Sequence, residues 1–382
     1  MTPIQNKTIA IVGGGPGGLT LARLLQIGDA NVKVYDRDLN KHARVQGATL
    51  DLHEESGLLA LQKAGLMDAF NANYRPGADA LRIVDKAANI LWDDDATPRE
   101  ETNRPEIDRG PLRKILLESL QPDTVVWDSN FQSLTPETNG WQLHFKNGTT
   151  AYADLVIGAD GANSKIRPYI TPIKPFFAGM TAIEGAVYNA EATSPQIFKL
   201  LNGGKIFAFG DSKSLIVSSK GDGSMPFYTG CNSNENWSKE SGIDFNDKAQ
   251  VLAWFKNEFQ GWDDIWQELF ENAESKFIPR PQYCMPLNQT WEALPNLTML
   301  GDAAHLMPPY AGEGVNMAML DAVELAECLL SDNFENTRSA ISAYEIQMRK
   351  RASETAAQTL ESTAALHSPG ATKYLIDIIS GS

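Results

Sequence analysis

Three short segments of this chain carry residue types whose spacing could do chemistry. Gly13, Gly15 and Gly18, in the run Val12-Gly-Gly-Gly-Pro-Gly-Gly-Leu19, form a G-x-G-x-x-G pattern between an apolar strand-like segment, Thr8 to Val12, and a helical one, Pro16 to Gln26. In that context the first glycine permits a tight turn, the second lets backbone approach a pyrophosphate, and the third lets strand and helix pack closely. The helix N-terminus adds free N–H groups and a partial positive charge aimed at the phosphates. Asp36 stands about 20 residues on, at the end of a second strand, Val32 to Tyr35, where a carboxylate can accept hydrogen bonds from a ribose. Alone, the pattern says dinucleotide and leaves NAD and FAD unresolved.

The second segment, Asp154 to Arg167, is an apolar strand that ends in Asp160-Gly161, with a helix start expected at Ser164. Doubly wound sheets place ligands at such strand ends, although a capped strand-to-helix turn has the same sequence. The third runs from Leu300 to Asn316 and leads into an apolar helical stretch, Met317 to Leu330. Asp302 can bind a sugar-alcohol hydroxyl, and the backbone from Gly312 through Gly314, Val315 and Asn316 can approach a flat ring edge. A helix starting there turns its positive end toward negative charge that develops on that ring. No catalytic acid or base is demanded, and His305 and His53 read as packing or hydrogen-bonding residues.

Other elements must position these segments. Helices are expected from Glu54 to Ala64 and from Pro111 to Leu120, stopped by the glycine or proline that follows. Trp141 to Phe145 and Thr149 to Ile157 flank Asn147-Gly148, which suits a type I′ hairpin turn because both residues tolerate positive φ. Between about Thr181 and Tyr283, short β runs (Lys205 to Phe209, Ser214 to Ser218, Met225 to Thr229) predict an antiparallel sheet. One helix near Asn246 to Phe259 covers it, with Val251, Leu252, Trp254, Phe255 and Phe259 largely on one side. The chain returns to a strand at Leu297 to Leu300 and is helical from about Thr337 to Ala365.

Composition bounds the rest. A length of 382 residues is long for one core and suggests two substructures. Hydrophobic residues at 42% and charged residues at 21% are ordinary globular usage, with no unbroken apolar run of membrane-spanning length. Met1 to Lys7 lacks the ordered parts of an export signal, so a soluble cytoplasmic protein without stable membrane association is expected. Cys231, Cys284 and Cys328 are too scattered for metal ligation and read as free thiols, and no metal is expected. A net charge of −15 argues against a nucleic-acid partner, which needs a basic surface.

The glycine-rich loop, the Asp-Gly segment and the distal Gly-Asp segment occur in the order found in FAD-dependent aromatic hydroxylases, and over residues 8 to about 330 the chain resembles that family, of which para-hydroxybenzoate hydroxylase is a member. Within it, Ala43-Arg-Val-Gln-Gly-Ala-Thr-Leu-Asp-Leu-His53, Pro105-Glu-Ile-Asp-Arg109 and the distal segment are most similar to the tetracycline-degrading flavin monooxygenases. The resemblance implies an α/β fold: a Rossmann-like FAD-binding domain (residues 1–74, 100–175 and 284–330), an antiparallel-sheet substrate domain (75–99 and 176–283) and a C-terminal helical segment (331–382). It implies that Asp51, Arg109 and Asp302 contact FAD, that Arg44 helps receive NADPH, that Arg113 assists the flavin phosphates or ribityl chain, and that Asp160-Gly161 serves both cofactors. Arg37 and Pro309 join the cofactor candidates.

The activity implied is NADPH-driven reduction of FAD, reaction with dioxygen to a flavin C4a-hydroperoxide, and hydroxylation of a planar, oxygen-rich small molecule, with a tetracycline as the expected example, by a monomer. Phe207, Phe209, Met225, Phe227, Met307, Pro308 and Tyr310 are the candidate wall for a flat ligand, of which alternation along a strand allows about half to face one pocket. Lys199 stands where the tetracycline-degrading enzymes carry a substrate-contacting glutamine on the sheet; it either pairs with an enolate or faces solvent as a strand residue. Another phenolic or polyketide substrate is the alternative. A flavin halogenase would carry a Trp-x-Trp-x-Ile-Pro segment, which Trp262 and Trp266 do not match. A non-catalytic flavin-loaded drug-binding or redox-sensing protein is the alternative of another class.

Overall fold

The computed structural model describes residues 2–42, 49–94, 104–274 and 276–380. Along the chain the longer helices are α1 (Pro16–Ile27), α2 (Arg109–Glu118), α3 (Pro195–Leu201), α4 (Lys248–Glu258), α5 (Gly314–Leu330), α6 (Thr337–Leu366) and α7 (Ala371–Ser380).

Five parallel strands form the first layer, in the order Leu297–Met299, Leu155–Gly158, Thr8–Val12, Asn31–Tyr35 and Val125–Val126. Thr8–Val12 is central and almost wholly apolar because both its faces are buried. Ile9 and Ile11 pack toward α1, α5 and α6, while Ala10 and Val12 pack on a small antiparallel sheet of Phe131–Pro136, Trp141–Phe145 and Thr150–Ala153. The stretch expected as one strand, Thr149 to Ile157, is therefore two strands in two sheets, and Asp154 at the crossing donates its N–H to Thr8 O at 3.0 Å. The turn before it is not type I′. Only Gly148 has positive φ, +83°, and Phe145 N–H reaches Thr149 O at 3.0 Å, so three residues form the loop with glycine in the bulge position.

A large sheet of seven strands forms the second layer, in the order Ile278–Cys284, Phe176–Val187, Met225–Asn232, Lys213–Ser218, Lys205–Gly210, Leu81–Asp85 and Ile90–Asp93. Its pairings are antiparallel except that of Lys205–Gly210 with Leu81–Asp85, which is parallel because the latter strand arrives from the first layer rather than through a hairpin. Period-two alternation sends Ile183, Ile206, Leu215, Val217, Met225 and Phe227 to the back, against α3 and α4. Phe255 of α4 stacks on Phe270 there, with ring centroids 4.1 Å apart. Leu81, Ile83, Phe207 and Phe209 face the front, where α7 and Leu366 of α6 cover part of the sheet.

Polar contacts tie the layers together. Lys205 of the large sheet pairs with the buried Glu106, Arg75 donates to Ser219 O at 2.8 Å, and Gly221 N–H donates to Asp108 at 3.0 Å. Among the described residues no helix is long and apolar enough to cross a membrane, and Cys231, Cys284 and Cys328 are free thiols.

Candidate active site

The glycine turn is shaped by what surrounds it. Gly13 has φ +115°, and a Cβ there would lie 2.2 Å from Ala159 O at the neighbouring strand end. A Cβ on Gly18 would lie 2.2 Å from Gly13 O, so both positions exclude side chains. A Cβ on Gly15, by contrast, would meet no described atom within 4 Å, which leaves open space at the start of α1 for an anionic group. Asp36 is 1% exposed, and its carboxylate accepts from Gly14 N–H at 2.6 Å and from Asp38 N–H at 2.8 Å. It braces the glycine turn as well as standing beside it. Arg113 is also buried; it donates to Lys41 O at 2.9 Å, pairs with Asp38 at 3.1 Å and lies over the Trp127 ring, and so organises the loop after the second strand. Arg37 is exposed, as is Arg109 at the first residue of α2, while Arg44 lies outside the described residues.

Asp160 caps its own turn. Its Oδ2 accepts from Lys165 N–H at 2.7 Å and Ile166 N–H at 3.3 Å, and Gly161 takes φ +80°. The helix expected from Ser164 is instead a short 3₁₀ turn, Arg167–Tyr169, because Pro168 has no N–H to give to the Ser164 carbonyl. Asp160 Oδ1 is buried with no hydrogen-bond partner among the described residues, and burial pushes this carboxyl above its ordinary pKa. Arg167 carries no motif that marks it in the sequence. It is 5% exposed and donates to Ala303 O at 2.6 Å and Asp302 O at 2.7 Å, stitching the Asp-Gly segment to the distal one. Its one sequence signal is a cation closing an apolar segment, which must find acceptors if buried.

Asp302 opens a helical turn, Asp302–His305, at the carboxyl end of the Leu297–Met299 strand. Among the described residues no hydrogen bond reaches its carboxylate; burial pushes its pKa up against the pull of His305, Arg109 and Arg167. Further along the loop, Gly312 has φ +72° and comes so near Asp51 that a Cβ would lie 3.3 Å from that carboxylate. Burial raises the Asp51 pKa, but the His53 hydrogen bond and the Lys205 charge outweigh it and hold the group below the usual carboxylate range. Asn316 is fully buried: its amide donates to Asp51 O at 2.9 Å and accepts from His53 N–H at 2.9 Å. With that side chain committed, what Gly314, Val315 and Asn316 can offer a ring is backbone.

Three of the candidate substrate residues, Met225, Phe227 and Lys199, stand elsewhere. Met225 and Phe227 lie on the back of the large sheet, each 0% exposed, in the core against α4. Lys199 is not on the sheet at all; it is exposed on α3, whose Ile197 and Leu201 pack behind the sheet. Phe207, Phe209 and Tyr310 do come together at the front. Pro308 is buried beside them in sequence and Pro309 is exposed. Sequence reading missed Ile216, Tyr228 and Glu184, which stand in register with Phe207 across four strands and are, like it, half-buried. The missing signal was register: Tyr228 follows Phe227 by one residue and so takes the opposite face.

Tyr310 is held by the sheet and the C-terminal helices together. Its ring meets His367 edge-on at 4.8 Å, Ser214 Oγ donates to His367 Nε2 at 2.9 Å, and His367 Nδ1–H donates to Thr363 O at 2.7 Å. Gly230 makes room for this cluster, since a Cβ there would lie 2.3 Å from His367 Nε2 and 2.4 Å from Ser214 Oγ.

An open glycine turn at a helix start, together with a buried Asp160 oxygen and an Asp302 carboxylate that no hydrogen bond reaches among the described residues, fits a long ligand carrying phosphates and hydroxyls. A family model described as FAD binding domain matches residues 6–248 and 291–359. Monooxygenase penA of Penicillium thymicola is 28% identical over 376 residues, 86% of each chain. The 6-hydroxynicotinate 3-monooxygenase of Pseudomonas fluorescens is 28% identical over 364 residues, 92% of this chain and 89% of its own. The structure of tetracycline destructase Tet(55) is similar in fold, with a TM-score of 0.77 at 19% identity over 100% of this chain and 96% of that one.

Proposed function

From the premise that the chain belongs to the FAD binding domain family, among the flavin monooxygenases resembling para-hydroxybenzoate hydroxylase, we propose that it uses NADPH and dioxygen to hydroxylate a planar, oxygen-rich small molecule held between FAD and the front of the large sheet. One observation carries the reading. A single loop places Tyr310 in the front cluster of the sheet and, two residues on, Gly312 against Asp51 of the cofactor layer.

When bound, FAD supplies the hydride-accepting and oxygen-activating chemistry. The chain supplies the holding groups: the start of α1 for the phosphates, Asp160 and Asp302 for hydroxyls, and the start of α5 for negative charge on the ring. Phe207, Ile216, Tyr228 and Tyr310 shape a mostly apolar space that excludes water and orients a flat substrate. Tetracycline is one member of the substrate class we propose, supported by the sequence resemblance around Asp51 and Arg109. A cytoplasmic monomer is the form we propose.

The test is NADPH oxidation in air, with and without tetracycline and a panel of phenols and hydroxylated heteroaromatics, followed by mass analysis. At least one compound should stimulate oxidation and gain one oxygen atom. Hydrogen peroxide as the only product with every compound would contradict a hydroxylase, and ligand binding without NADPH oxidation would favour a non-catalytic flavin-loaded binding protein.

A further inference from the structure

The turn that presents Asp302 is gripped from behind by a single carboxylate. Asp321 lies on α5 and is 0% exposed. Its Oδ2 accepts from the Gly301 backbone N–H at 2.8 Å and contacts His305 Nε2 at 2.5 Å, so it binds the turn on both sides of Asp302. Its Oδ1 accepts from Arg351 Nη2 at 2.6 Å. Arg351 belongs to α6 and also pairs with Glu324 of α5. A second contact from α6 reaches the same strand end, where the Tyr344 hydroxyl donates to Met299 O at 3.1 Å.

The grip has something to hold. Gly301 sits at φ +57°, ψ −145°, a backbone state that side-chain-bearing residues avoid, and a Cβ there would lie 2.9 Å from Ala318 Cβ. Burying an ion pair returns little net stability after desolvation, so strength alone does not account for a buried carboxylate gathering Gly301, His305 and Arg351. What such convergence does fix is geometry. His305 and Arg351 hold the Asp321 carboxyl below its usual range despite burial, which keeps it an acceptor for all three partners.

We propose that Asp321 is a positioning residue for FAD and Arg351 its anchor: together they lock the Gly301–Asp302 turn in the shape that offers Asp302 to the cofactor. The C-terminal helix α6 thereby governs cofactor retention through Asp321. The proposal rests on the FAD reading of the Asp302 site and needs no knowledge of the substrate.

The experiment titrates FAD into apoprotein of the wild type and of Arg351→Met, Arg351→Lys and Asp321→Asn, with the thermal midpoint of each apoprotein measured alongside. Arg351 is the safer site for substitution, being 21% exposed in its side chain. Arg351→Met should weaken FAD binding by roughly 2- to 30-fold, the range of indirect coupling between sites. At saturating FAD, its bound flavin should also show an altered visible band shape and fluorescence. Arg351→Lys, which keeps a cation beside Asp321, should restore much of both, and Asp321→Asn should resemble Arg351→Met. Unchanged affinity and band shape in Arg351→Met overturn the proposal. So does weakening that merely follows a fall in apoprotein stability and is not rescued by lysine. A wild-type protein that binds no FAD removes the cofactor reading itself, an outcome separate from either.

Discussion

The two layers of this molecule prepare their sites by opposite means. At the carboxyl ends of the parallel strands, polar side chains are spent on holding backbone: Asp36 on Gly14, Asp160 on Lys165, Arg167 on Asp302 and Ala303, Asn316 on Asp51 and His53. The front of the large sheet presents Leu81, Ile83, Phe207, Phe209, Ile216 and Tyr228, with Tyr310 packed against it and Glu184 at one end paired to Arg280 at 2.7 Å. The first arrangement suits a ligand with fixed phosphates and hydroxyls, whose chemistry does not change from one reaction to the next. The second suits a substrate recognised by shape, where a change of one side chain can change the compound accepted.

Substitutions can sharpen that contrast. The largest effect on the cofactor is expected in the glycine turn: Gly13→Ala places a Cβ against Ala159 O at a positive φ of +115°, and the protein should lose FAD altogether, together with about 1–3 kcal/mol of stability. Retention of flavin and an unchanged midpoint in that variant would remove the steric argument. Next come two phenylalanines on opposite faces of one sheet. Phe227→Ala should cost about 3–5 kcal/mol of stability because it empties the back core, whereas Phe207→Ala should cost less and raise KM for the substrate. Urea unfolding and steady-state kinetics on both variants separate the faces; equal effects would mean that the front is core as well.

Asp302→Ala should weaken FAD retention by about 1–3 kcal/mol, the cost of leaving a buried hydroxyl without its acceptor. Equilibrium dialysis against FAD reads this directly, and unchanged retention would remove Asp302 from the cofactor set. The smallest effect is expected at Lys199, exposed on α3 behind the sheet, where Lys199→Gln should leave turnover of any substrate alone and change stability within about 0.5 kcal/mol. A gain in tetracycline turnover there would restore the substrate role that the structure denies it.

The same contrast explains what could be read from the sequence. The cofactor layer was legible because its geometry demands particular residue types. Only glycine fits where Gly13 and Gly18 meet neighbouring carbonyls, and an acidic residue at a strand end is visible in the letters. Arg167 and Asp321 were not legible, since each acts on backbone more than a hundred or about twenty residues away, respectively, and nothing local marks the partner. The large sheet was legible as strands but not as faces. Met225, Phe227 and Tyr228 are all plausible wall residues by type, and only the register with Val187, Gly185 and Glu184 decides that the first two are core. Lys199 failed for a related reason. Pro195 starts a helix and Asn202, at φ +49°, ends it, turning the stretch expected to lie on the sheet into α3 behind it.

We propose that flavin bound to the parallel layer delivers oxygen to a compound resting on the large sheet. The most direct test is turnover of the stimulating compound under ¹⁸O₂ with NADPH, read by the mass of the product. Incorporation of one ¹⁸O atom from dioxygen is expected; a product that carries oxygen only from water, or NADPH oxidation that leaves every compound unchanged, contradicts oxygen transfer by the flavin.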